Sequence, residues 1–313
     1  MTVPVHVLEN EHWRVGILPE TGASIAFGRI RHGGEWVDFL RPTPEDEWVD
    51  VNACASYPLV PWSNRIRDGV LVWEGRSYRL RVNFEDGTAI HGAARDYAWD
   101  IAEGDDAHVA CTFDSTDVYG VNWPWSFTSR IEYRLDGADL LVVTSVTNTS
   151  SEAFPAGFAH HPYFQRTLAG TDDDVQLRIP CDQQFPLVAC MTDGPAQPIE
   201  DWLDFRELRD VGERFIDNCL TGRAPGEPVE FVYAKSGRRF QLFADELYQH
   251  VVFYLPQAGK PFLALEPVTN ANDAFTMRAK GIPGDGLFVL EPGETRSATF
   301  SLRIADVDLP GLE

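Results

Sequence analysis

Lysine is almost missing from this chain, with three residues, Lys235, Lys260 and Lys280, among 313. Arginine therefore carries nearly all of the positive charge, and 26 basic side chains face 48 acidic ones for a formal net charge of −22. A surface this negative repels phosphate backbones and anionic headgroups, so neither nucleic acid nor a membrane is expected as a partner. Cysteine is sparse. The five residues Cys54, Cys111, Cys181, Cys190 and Cys219 are odd in number, widely spaced and without a C-x-x-C pair. That argues against a disulfide framework and a zinc site, and it fits a reducing cytoplasm. No apolar run approaches the length needed to span a bilayer, and the opening Met-Thr-Val-Pro-Val-His-Val lacks the order of a leader segment.

Two further absences narrow the chemistry. Without Gly-x-Ser-x-Gly, the simplest route to a serine hydrolase is closed. Gly281 to Gly286 has no lysine and no following helix, so it reads as a surface turn rather than a nucleotide-phosphate loop. Helical periodicity over ten or more residues is also missing, and Asp204 to Asp210 offers a turn or two at most.

What the chain does have is short alternating segments broken by turn pairs. Gly33-Gly34 precedes Glu-Trp-Val-Asp-Phe, Glu74-Gly75 follows Val-Leu-Val-Trp, and Asp136-Gly137 precedes Leu-Leu-Val-Val-Thr-Ser-Val. These are hairpin signals. The rhythm continues at 240–243, 251–255, 262–265 and 298–304. With 44% hydrophobic and 24% charged residues, the chain reads as globular, all-β, mainly antiparallel and one large sandwich domain over 1–313.

Five stretches set ionisable groups among apolar or turn-forming neighbours. Phe154 to Phe164 holds His160 and His161, of which only one is expected to face the interior, since adjacent strand side chains point to opposite faces. Tyr57 to Gly69 places Asn64 and Arg65 after two prolines and a tryptophan, and a guanidinium fork suits hydroxyl or carboxylate recognition. His91 precedes a glycine at a strand end, where a ligand can approach closely. Asp217 either accepts hydrogen bonds from vicinal sugar hydroxyls or caps a turn. Glu266 ends an apolar strand with no lysine or arginine beside it in sequence, which raises its proton affinity towards that of a general base near neutrality. Glu291, in a Pro-Gly turn, reads as structural. A carboxylate, two imidazoles, an arginine and an aspartate on an all-β frame suggest acid-base chemistry on a sugar, with no metal.

The segments Pro-Trp-Ser-Asn-Arg-Ile (61–66), Ile-His-Gly-x-x-Arg (90–95), His-Pro-Tyr-Phe (161–164), Asp-Asn-x-x-x-Gly (217–222) and Glu-Pro-Val-Thr-x-x-x-Asp-Ala-Phe (266–275) resemble those of the aldose 1-epimerases, or galactose mutarotases, in the same order. The resemblance implies a β-supersandwich that interconverts the α and β anomers of a free monosaccharide without a cofactor, as a monomer or homodimer. It implies Glu266 as the base at the anomeric hydroxyl and His161 as the acid at the ring oxygen. Arg65, His91, Asp217 and Asn64 then bind the substrate. The chain departs from the galactose type at Asn122-Trp-Pro-Trp125 and at Asn218, which implies other aldoses, sulfonated ones included, with Arg65, Arg67 and Arg95 as cations that could meet an anion. Two rival readings remain: a glycoside hydrolase pairing Glu266 with Asp217, and a non-catalytic carbohydrate-binding protein.

Overall fold

Along Phe127–Asp136 the residues Phe127, Ser129, Ile131, Tyr133 and Leu135 are buried while their neighbours are not. This alternation belongs to a sheet with one face on a core and one in water. Phe262–Val268 behaves differently, with every residue after Phe262 buried, so its strand is covered on both faces. The contrast between these strands defines the architecture. It was obtained from a computed structural model that describes residues 3–170, 174–257 and 259–305; both ends of the expected 1–313 domain lie outside them.

Nine antiparallel strands form the first sheet, in the order Asp100–Gly104, His108–Asp114, Phe127–Asp136, Asp139–Asn148, Thr295–Ala305, Arg238–Ala244, Val229–Tyr233, Gln176–Arg178 and Arg209–Asp210. The second, of eight strands, is built around Ile216–Arg223, His250–Leu255 and Phe262–Val268, with Ala159–His160 and Tyr163–Gln165 both pairing with the last. A four-stranded sheet runs from His6 to Asp38. Aromatic side chains fill the space between: Phe39 stacks on Phe240 with centroids 3.9 Å apart and meets Phe164 at 5.3 Å. The expected hairpins at Gly33-Gly34, Glu74-Gly75 and Asp136-Gly137 each join two paired strands.

Two expectations need correction. His160 and His161 do point to opposite faces, yet both are interior, because the second sheet is covered on both sides. His160 enters the core, where its Nε2 lies 3.0 Å from Thr144 Oγ1 and its ring meets Tyr133 and Phe300. Residues 204–210 hold no helix; a 3-10 turn ends at Leu203 and a short strand occupies Arg209–Asp210. Gly281 to Gly286 is a surface turn, with Gly281, Pro283 and Gly284 exposed, and only its end is crowded: a Cβ on Gly286 would lie 2.0 Å from the carbonyl oxygen of Thr269. The one α-helix among the described residues, Ala274–Lys280, is too short to show a period and ends on Gly281 at φ 68°. No helix among them is long and apolar enough to cross a membrane.

A buried amide pins the loop that carries Asn64 and Arg65 to the end of the central strand. Asn270 Oδ1 accepts from the Ser63 backbone N–H at 3.1 Å and from Ser63 Oγ at 3.0 Å, and its Nδ2 donates to the Ser63 carbonyl at 3.0 Å. Asn270→Ala would leave the buried backbone N–H and carbonyl of Ser63 unpaired, while the Ser63 hydroxyl keeps its bond to the Asn270 carbonyl at 3.1 Å. A loss of about 2–3 kcal/mol in reversible urea unfolding is expected; a change below about 0.5 kcal/mol would mean that the network does not hold the loop.

His160 gives a second expectation. Burial lowers its pKa from 6.5 to about 3, so between those values the unfolded chain binds a proton that the folded chain refuses. Stability therefore rises with pH through this window and is lost as pH falls below 6.5. In His160→Gln the slope of unfolding free energy between about pH 5 and 6 should be shallower by about 1 kcal/mol per pH unit. An unchanged slope would contradict the assignment.

Candidate active site

Strand register gathers the site. Asp217 faces Tyr254, Tyr254 faces Ala264, and Ala264 faces Tyr163 across successive antiparallel pairs. Cross-strand partners share a face, and so do residues two apart, which puts Glu266 on the same face two positions beyond Ala264. Asp217, Tyr254, Glu266 and Tyr163 thus rise from four neighbouring strands into one cavity of about 320 Å³.

Loops bring the remaining walls. Arg65 pairs with Ile90 in a two-residue ladder, and the Asn64 carbonyl accepts from the His91 N–H at 3.1 Å. His91 and Gly92 both have positive φ, 63° and 82°, and a Cβ on Gly92 would lie 2.4 Å from the Val60 carbonyl oxygen. Only glycine lets the chain pass so close, and the consequence is an imidazole held over the cavity. All six residues singled out as site candidates, Glu266, His161, Arg65, His91, Asp217 and Asn64, line this space.

Inside the cavity His161 Nε2 lies 3.2 Å from Glu266 Oε1. Glu266 is 2% exposed and His161 6%. Glu266 Oε2 has no hydrogen-bond partner. Burial, reinforced by the charge of Asp217, pushes the Glu266 carboxyl well above its ordinary range, with Arg65 opposing. Burial likewise lowers His161 to about 3, helped by the guanidinium charges of Arg41 and Arg95. Both groups are driven towards their neutral forms. His91, edge-on to His161 at 5.4 Å, is pushed well below its usual value by burial and then by its charged neighbours.

Around this pair the polar groups are tied in place. Arg65 Nε donates to Asp86 Oδ2 at 2.7 Å, and Asn64 Oδ1 accepts from the Arg65 backbone N–H at 2.9 Å. Burial raises the Asp217 carboxyl, whereas a hydrogen bond from the Cys190 thiol, at 3.2 Å, and the charge of Arg65 pull it down. The His161 ring packs against two tyrosines, Tyr57 at 5.0 Å and Tyr163 at 4.5 Å.

Several of these neighbours escaped sequence reasoning. Tyr57 and Tyr163 fall inside the quoted stretches without having been given a role, Tyr254 carries no signal beyond alternation, and Cys190 reaches Asp217 from the tip of a hairpin. Arg67 is not a wall of the cavity; it pairs with the fully buried Asp273 at 2.8 Å and anchors the start of the helix. Arg95 does line it. The Asn122-to-Trp125 departure lies in packing, with Trp123 stacked on Trp62 at 5.1 Å and Trp125 on Phe154 at 5.4 Å. Among the described residues no three histidine, cysteine or carboxylate side chains are grouped to hold a metal ion.

The comparisons bear on the fold and the family. The uncharacterized protein YihR of Escherichia coli K12 is 24% identical over 247 residues, covering 78% of this chain and 77% of that one. A galactose mutarotase-like protein from Clostridium acetobutylicum superposes with a TM-score of 0.85 at 18% identity, covering 98% of this chain and 99% of the other. A GalM/aldose epimerase homologue from C. elegans gives 0.81 at 17% identity, covering 97% and 100%. The fold is therefore the galactose mutarotase-like β-supersandwich. The family model described as aldose 1-epimerase matches residues 4–303, and on that match the chain belongs to the aldose 1-epimerase family.

Proposed function

We propose that this protein interconverts the α and β anomers of a free aldose by general acid-base ring opening and reclosure. The observation that carries the reading is the 3.2 Å approach of His161 to Glu266 inside a cavity that also holds Arg65, His91 and Asp217. A pyranose hemiacetal presents two oxygens on one carbon, the C1 hydroxyl and the ring oxygen, and these two groups are matched to them. Glu266 removes the C1 hydroxyl proton while His161 delivers a proton to the ring oxygen. The C1–O5 electron pair leaves with O5, and the former O–H pair becomes the C1=O double bond. Rotation about C1–C2 exposes the other carbonyl face, and reversal of both transfers closes the opposite anomer.

Charge favours the ring-opening half of this sequence. Ring opening turns an ionised carboxylate and a protonated imidazole into a neutral acid and a neutral base, the forms that burial prefers for both. No oxyanion stands free at any stage. Arg65, His91, Asn64 and Asp217 orient the hydroxyls, and the reading treats residues 1–313 as one domain around the site. A glycoside hydrolase would set two carboxyls across the scissile bond with His161 turned away. Here His161 faces Glu266 directly. A purely binding role leaves the cost of burying this carboxyl and imidazole side by side without a use.

Glu266→Gln and His161→Asn should each slow anomer exchange by about 10² or more while the folded far-UV spectrum is kept, because each removes one proton-transfer partner. Exchange NMR or polarimetry across a panel of free sugars reads this directly. Either variant running at the parent rate would remove its residue from the mechanism, and release of free sugar from an aryl glycoside by the parent protein would favour the hydrolase.

A further inference from the structure

His161 turns Nε2 to Glu266, while its Nδ1 is buried with no hydrogen-bond partner. A histidine that moves protons is usually aimed by a hydrogen bond on its second nitrogen, so here something else has to aim the ring. Packing does so. Tyr57 and Tyr163 lie against the imidazole at 5.0 and 4.5 Å, with interplanar angles of 27° and 34°, and His91 meets it edge-on at 5.4 Å. The two phenols come from different segments, and their spacing sets where the ring can sit.

Arg41 joins those segments. Its backbone N–H donates to the Tyr163 carbonyl at 2.8 Å, and its guanidinium carbon stands 3.8 Å over the Tyr163 ring and 4.8 Å over that of Phe262. Its Nη2 meets the carbonyl oxygens of Asn52, Ala53 and Cys54 at 3.2, 3.0 and 2.8 Å, where the 3-10 turn Val51–Ala53 closes shortly before Tyr57. One side chain thus braces the Tyr163 strand against the Tyr57 segment. The planar guanidinium suits this task, since its face stacks on a ring while its edge serves carbonyls. Yet Arg41 is not a wall of the cavity.

Charge adds a second effect, because carbonyl dipoles, unlike a carboxylate, leave the guanidinium its full charge. Of the groups that face His161, Glu266 comes from the central strand and His91 from the loop beside Arg65, while Arg95 lies 5.4 Å over the Tyr57 ring and Arg41 over the Tyr163 ring. After burial, Arg41 is the foremost charge that depresses His161, ahead of Arg95. Asp217 and Arg65 act instead on Glu266.

We propose that Arg41 is a positioning residue for the proton donor: from outside the cavity it braces Tyr163 against the Tyr57 segment and thereby aims His161 at the ring oxygen. The inference rests on the mutarotase reading and adds to it a residue that touches neither the sugar nor the reacting atoms. As a fixed cation behind the phenol, Arg41 also discourages the imidazole from keeping a proton.

The test uses Arg41→Met, which removes both the brace and the charge, and Arg41→Lys, which keeps the charge without the planar fork. Anomer exchange is followed by exchange NMR on the aldose that the parent turns over fastest in a panel of free sugars, from about pH 3.5 to 9. In both variants kcat should fall about tenfold or more with KM within about twofold of the parent, because the donor is misaimed while the contacts of the sugar stay. The acid-side midpoint of the kcat/KM profile should rise by about half a pH unit or more in Arg41→Met, since a nearby cation opposes protonation, and stay at the parent value in Arg41→Lys. A parental kcat in either variant, a loss confined to KM, or an unmoved midpoint in a folded Arg41→Met overturns the proposal and leaves the mutarotase intact. If Arg41→Met fails to fold, the kcat and KM of the lysine variant decide. Acceleration of no free aldose by the parent would remove both.

Discussion

The site depends on a proton that two buried groups have to share. Neither Glu266 nor His161 can hold a charge cheaply where it stands, and they lie close enough for the proton to be assigned to either. In water this pair would be an ordinary weak contact. Out of water, moving the proton changes the charge of both partners at once, and a hemiacetal inserted between them offers the path along which it can move. On the proposed mechanism, the sugar relays the proton from imidazole to carboxylate without solvent taking part.

Such an arrangement needs a strand covered on both faces, and that requirement explains the supersandwich. One face of Phe262–Val268 closes on the aromatic core, through Leu263 and Leu265, while the other carries Ala264 and Glu266 under the cavity. A sheet with one wet face would have left Glu266 solvated and its proton affinity ordinary. The same double burial governs the adjacent histidines. His160 pays for its place in the core by staying neutral beside Thr144, and His161 becomes available on the opposite face.

Much of this was legible in the sequence, for definable reasons. Turn pairs such as Asp136-Gly137 mark hairpins because their backbone needs are local, and the long alternating strands beside them are equally local. An acid or an imidazole inside an apolar run, as at Glu266 and His161, is visible because burial of charge is rare. Register is not local. That Tyr254 stands beside Asp217, or Tyr163 opposite Ala264 and so near Glu266, follows from pairings between strands distant in the chain. The short helix at 274–280 was hidden because seven residues are too few for a period, and Cys190 because a hairpin tip carries no pattern pointing to its target.

The unsatisfied atoms around the cavity argue for a site built to be completed by a ligand. Glu266 Oε2, His91 Nδ1 and Arg95 Nε are all buried without a partner, and all three residues line the same 320 Å³. Each such atom costs stability in the empty protein, whereas a structural polar network closes on itself, as Asn270 does with Ser63. A sugar carries an acceptor and a donor on nearly every carbon, so one molecule can satisfy an acid, an imidazole and a guanidinium together. On the proposed mechanism, the stability withheld from the empty fold becomes orientation of the bound ring, with its anomeric carbon set between Glu266 and His161.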